Sequence, residues 1–184
     1  SSVIANSGVL EFRRANTLTQ GTHFSSSPIT GTGALVNSGG GVTILNLANT
    51  YSGLTTITAG AFRVTHPGAL GGPRFVLAGG VTVTGEHISL SGGGNFRGAL
   101  TSQSGANVWA GPVTITAPAT RIGTADGASL RISGVIDSDG QPHGLELRGG
   151  PATAGGLLVL AGPNTYLGNT TVTLGRVQLD TGDN

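Results

Sequence analysis

Apolar and polar residues alternate in short bursts along the chain. Val42-Thr43-Ile44, Val81-Thr82-Val83, Ile88-Ser89-Leu90, Val113-Thr114-Ile115, Leu130-Arg131-Ile132, Leu145-Glu146-Leu147, Val172-Thr173-Leu174 and Val177-Gln178-Leu179 all read apolar, polar, apolar. A period of two predicts short β-strands with one buried face. Between the bursts stand Gly39-Gly40-Gly41, Gly79-Gly80, Gly92-Gly93-Gly94 and Gly149-Gly150, which suit turns that need positive φ. A helix longer than two turns would enclose several glycines, each costing about 1 kcal/mol relative to Ala. The pattern predicts an all-β chain.

Repetition narrows the architecture. Asn49-Thr50-Tyr51-Ser52-Gly53-Leu54-Thr55-Thr56-Ile57-Thr58 lies over Asn164-Thr165-Tyr166-Leu167-Gly168-Asn169-Thr170-Thr171-Val172-Thr173. A degenerate copy, Asn107-Val108-Trp109-Ala110-Gly111-Pro112-Val113-Thr114-Ile115-Thr116, lies 58 residues after the first and 57 before the last. That spacing divides into three coils of about 19 residues, near the range of stacked repeats. One coil cannot shield its own apolar residues, whereas coils stacked about 4.8 Å apart bury them as ladders. The prediction is one solenoid domain over 1–184, with roughly nine or ten coils and a length of about 45 Å.

Composition removes other classes. Charged residues make up 9%, the net charge is +1 and all nine basic residues are Arg, so no clustered positive charge faces phosphates and nucleic acid is not an expected partner. Cysteine is absent, which excludes a disulfide framework, a thiolate metal site and a thiol nucleophile. No apolar run is long enough for a membrane-spanning helix. The opening Ser1 without Met fits a processed chain or an excerpt. No polar cap is read at either end, which fits either a cut segment of a longer passenger rod or a subunit that stacks end to end, each chain capping the next.

Leu158 to Leu179 follows the pattern L-x-L-x-G-x-N-T-Y-x-G-x-T-T-I-x-x-G-x-L-x-V, and Ile44 to Val64 follows it from Asn49 onward, without the first Gly. They resemble the autotransporter-associated β-strand repeat found in passenger regions of Gram-negative surface proteins. The degenerate copy spans 102–122, and Gly68-Ala69-Leu70-Gly71 resembles the family's usual continuation. The resemblance implies a right-handed parallel β-helix, exported and displayed at the cell surface or outside it.

The residues expected to carry the repeat are Asn49, Tyr51, Gly53, Ile57, Asn107, Trp109, Gly111, Ile115, Asn164, Tyr166, Gly168 and Val172. The asparagines suit turns, which they hold by side chain to backbone bonds. Tyr51, Trp109 and Tyr166 share one repeat position. Facing outward they would stack on sugar rings; facing inward they would pack at coil corners. Asp137-Ser138-Asp139-Gly140 resembles the start of a calcium loop, against the alternative of a solvated turn. None of the four His is spaced as a metal pair, and Glu86 and His87 would point to opposite strand faces. Ser25-Ser26-Ser27 lacks the context of a nucleophile elbow.

These features predict a non-enzymatic extracellular solenoid without cofactor, serving adhesion, matrix or display as a rod or fibre. The expected partners are further copies at its ends and a glycan or cell-surface receptor. The alternatives are a carbohydrate-binding or carbohydrate-cleaving module on the same fold, and a passive passenger segment that aids secretion.

Overall fold

The computed structural model describes residues 2–59, 61–64, 66, 69–71, 75–84, 87–93, 98–150 and 155–180, with backbone alone for 61–64. Gly68, Glu86, Gly94, Ser1 and residues 181–184 lie outside the described residues. The described chain is all-β, and every described strand register is parallel. The strands stack as a β-solenoid. It divides into two compact units, Ser1–Val76 and Leu77–Asn184.

The first unit runs through β1 (Ile4–Ala5), β2 (Val9–Phe12), β3 (Leu18–Thr19), β4 (Ile29–Thr30), β5 (Ala34–Asn37), β6 (Val42–Leu45), β7 (Thr55–Ile57) and β8 (Ala61–Val64). Three walls result: β2-β5-β7, β3-β6-β8 and β1-β4. The boundary between the units falls within β9 (Phe75–Ala78). The second unit continues with β10 (Thr82–Val83), β11 (Ile88–Leu90), β12 (Leu100–Ser104), β13 (Ala106–Trp109), β14 (Val113–Ile115) and β15 (Ala119–Thr124). It ends with β16 (Ser129–Ile132), β17 (Ile136–Asp137), β18 (Gly144–Arg148), β19 (Leu157–Leu160), β20 (Thr170–Leu174) and β21 (Arg176–Leu179). Its walls are β12-β15-β18-β20, β10-β13-β16-β19-β21 and β11-β14-β17.

Parallel stacking in register converts the period-two pattern into interior columns. Val83, Trp109, Ile132, Leu160 and Leu179 follow one another through the second unit. So do Leu100, Ile122, Leu147 and Val172. Ile88, Val113 and Ile136 form a third column on the remaining wall. Most of these side chains are buried, and full burial of each Leu or Ile contributes about 1.5–3 kcal/mol.

The coils are wider and fewer than expected. Register partners lie 19 residues apart at Val42–Ala61 and Leu157–Arg176, but 25 apart at Val9–Ala34 and 28 apart at Ser129–Leu157. A uniform 19-residue coil therefore fails, and with it the count of nine or ten. The extra residues sit in the corners, where no register fixes their number. One strand also reverses its expected faces. In β6 it is Thr43 and Leu45 that are buried, while Val42 and Ile44 are half-buried. The Thr43 hydroxyl is satisfied inside by donating to Asn37 Oδ1 at 3.1 Å.

Candidate functional site

The repeat asparagines clamp neighbouring coils together. Asn49 Oδ1 accepts from the Ile29 amide at 2.7 Å, and the next residue's amide, on Thr50, donates to the Ile29 carbonyl at 2.9 Å. Asn107 does the same to Val81, at 2.8 and 2.9 Å. Asn164 does so to Ile136, at 3.2 and 2.9 Å. The partner residue always belongs to the preceding coil, so these bonds cross between coils; Asn107 also holds its own turn, its Nδ2 donating to the Ser104 carbonyl at 2.9 Å. Asn49 also reaches forward, donating to the Ala69 carbonyl at 2.7 Å. A reciprocal amide pair with Gln20, at 2.8 and 3.2 Å, completes its bonding.

The middle copy performs this clamp on a different wall. Asn49 and Asn164 lie at corners that lead into β7 and β20, whereas Asn107 lies within β13. Val113 to Ile115 accordingly stand in the β11-β14-β17 wall, not in the wall of β15, β18 and β20. The glycines show the same displacement. A Cβ on Gly53 would collide with the Gly33 carbonyl of the coil before it, and one on Gly168 with the His143 carbonyl. Gly111 instead belongs to a column in which a Cβ on Gly134 would strike the Gly111 carbonyl, and one on Gly162 the Gly134 carbonyl.

Two of the three repeat aromatics, Tyr51 and Trp109, face inward. Tyr51 is 0% exposed and Trp109 1% exposed, which removes both as sugar-stacking platforms. Tyr51 shares a 2.7 Å hydrogen bond with the Thr55 hydroxyl, and half-buried Tyr166 makes the equivalent bond to Thr170. Ile57 and Ile115 are interior, while Val172 is 54% exposed.

Asp137 and Asp139 form a turn with its own internal bonds. Asp139 (φ 50) and Gly140 (φ 70) occupy its centre, closed by the Gln141 amide donating to the Ser138 carbonyl at 2.9 Å. Asp137 Oδ1 accepts from the Asp139 amide at 3.0 Å, and Oδ2 from Thr114 at 3.2 Å. The Thr114 hydroxyl thus donates to the carboxylate, so His87 Nε2, 2.8 Å away, is the donor at Thr114. Among the described residues no group of three or more His, Asp or Glu is placed to hold a metal ion.

Stacking also builds a groove that the linear pattern does not show. It has a volume of about 480 Å³ and is lined by Pro118, Pro142, Leu167, Glu146, Asn169 and Thr171, among others. Arg121, Glu146 and Thr171 are consecutive register partners on the outer face, because the flanking Leu145 and Leu147 point into the core. Arg121 bonds Glu146 at 2.7 Å, and Thr173 donates to the other carboxylate oxygen at 2.9 Å. The Arg121 hydrogen bond outweighs burial and, with Thr173, holds the Glu146 carboxyl below its ordinary value. Buried Gln20 and Asn37, together with this groove, are the features that sequence reasoning missed. A polar residue inside an otherwise apolar burst was the available signal for Asn37; nothing comparable marked the groove.

The chain is 32% identical, over 97% of its length, to the adhesin BmaC autotransporter of Brucella suis biovar 1 (strain 1330). The match spans 5% of that relative's length. The likeness joins the repeat motif and the solenoid fold described above. The chain belongs with the autotransporter-associated β-strand repeats. No family model matches it, and no solved structure does. Within this autotransporter-associated segment the motif residues have a structural explanation: asparagine clamps the preceding coil, tyrosine fills the corner, and glycine permits backbone contact. No described helix is long and apolar enough to cross a membrane.

Proposed function

We propose that this chain is a β-solenoid segment of an exported adhesive passenger, displayed at the surface of a Gram-negative-type bacterium or secreted from it. The likeness to an autotransporter adhesin across 97% of the chain carries this reading. The fold supports it: interior columns are apolar, and outward positions present Thr, Arg, Glu and Ser on walls held by backbone ladders. In this reading the segment presents lateral surface and does no chemistry.

The test is adherence. Beads coated with the purified chain should bind host-type epithelial cells more than beads coated with a heat-unfolded sample. Equal binding by both would overturn the adhesive role and leave a passive passenger segment. Fibre formation is the finer part of the proposal. Electron microscopy showing filaments of the purified chain supports it, and a uniform 18.1 kDa monomer overturns it.

A further inference from the structure

We propose that the outer groove between Pro118, Pro142 and Leu167 is a saccharide subsite that binds an uncharged sugar residue without cleaving it. The inference deepens the adhesive reading, and rests on it for the meaning of the binding, but the site itself stands on the groove. A volume of about 480 Å³ falls within the roughly 300–1,000 Å³ of small-ligand pockets. Its lining combines a carboxylate, an amide and a hydroxyl with flanks of proline and leucine, the mixture that a sugar's hydroxyls and C–H faces require.

Charge selects the ligand class. Glu146 is paired with Arg121, so the two charges cancel and a cationic or anionic ligand gains nothing from them. A carboxylate offers about four lone-pair sites. Arg121 and Thr173 occupy two, and the rest remain to accept from neighbouring sugar hydroxyls. Asn169 and Thr171 are exposed, and among the described residues neither side chain forms a hydrogen bond within the chain. They lie on the outward face because the intervening Thr170 is the partner of Tyr166, just as buried Thr55 is the partner of Tyr51.

The same lining argues against hydrolysis. Glycosidic cleavage ordinarily uses two carboxyl groups about 5–9.5 Å apart, one of them protonated to act as acid. Among the described residues Glu146 is the sole carboxyl residue lining the groove, and its arginine partner favours the ionised form.

The experiment is a titration of the isotope-labelled chain with glucose, galactose, N-acetylglucosamine and lactose at millimolar concentration, followed by NMR. Saturable shifts at Asn169 and Thr171 are expected. Asn169→Ala and Glu146→Gln should each weaken binding about tenfold. Asn169→Ala should leave thermal melting unchanged, which separates ligand loss from misfolding. No shift with any of the four sugars would overturn the proposal, as would affinity unchanged by Asn169→Ala. Adherence of coated beads, measured on Asn169→Ala in parallel, keeps the two readings apart. Loss of sugar binding in that variant supports the subsite whatever adherence does, whereas loss of adherence in the folded parent sinks the adhesive role alone.

Discussion

The corners at 49–57 and 164–172 share a motif and a bonding scheme, yet differ in burial. In both, asparagine accepts from an isoleucine amide of the preceding coil, and tyrosine bonds a threonine four residues on. Tyr51 is 0% exposed and Ile57 4%, whereas Tyr166 is half-buried and Val172 is 54% exposed. Ala69 and Gly71 cover the first corner from the following coil; among the described residues the second has no such cover. The motif therefore encodes attachment to the coil before it. Burial is supplied by the coil after it, as expected where stability sums over nearest neighbours.

Substitutions at matched positions would break or sharpen this contrast. The largest effect is expected from Ile57→Asp, which places an unpaired charge at a site with 4% exposure and should cost more than about 4 kcal/mol. Val172→Asp should cost under about 1 kcal/mol, and denaturant melts of the two variants make the comparison. An Ile57→Asp variant that melts with the parent would mean the inward face is misassigned.

Asn49→Ala comes next. It strands the Ile29 amide and the Ala69 carbonyl and leaves the Gln20 amide only the Ser27 carbonyl, so about 3 kcal/mol or more is expected, against about 1 kcal/mol for Asn164→Ala. Tyr51→Phe should cost about 1–2 kcal/mol by leaving buried Thr55 without its partner, and Tyr166→Phe under about 0.5 kcal/mol. Equal costs within either pair would show that the following coil does not govern burial.

Glu146→Gln should give the smallest change, about 1 kcal/mol at neutral pH. The folded carboxyl lies below its ordinary value of 4.5, so the contribution is whole above that pH. It is lost as pH falls through the depressed folded value. Parent and variant melts should therefore converge in acid; a gap that persists there would assign the effect to packing.

Strand positions and interior columns were legible because period two is a local signal that stacking in register preserves. Coil width was not, since corners absorb extra residues without disturbing any ladder. The Asn107 copy shows a second limit. Val-x-Ile triplets serve every wall alike, so spacing alone cannot tell a corner from a strand. Thr43 shows a third: its inward turn depends on Asn37, a partner from the adjacent strand. The groove draws on residues near 118, 142–146 and 167–171, which only stacking brings together.

The column of Gly111, Gly134 and Gly162 bears on how such a molecule changes over generations. Each member lies so close to its neighbour's backbone that a single methyl group at Gly134 or Gly162 would force two turns apart. A duplicated turn carries its own glycine with it and extends the line intact. A point change offers no such compensation. Along this edge the molecule tolerates being copied far better than being edited, and growth by whole turns is its open route to variation.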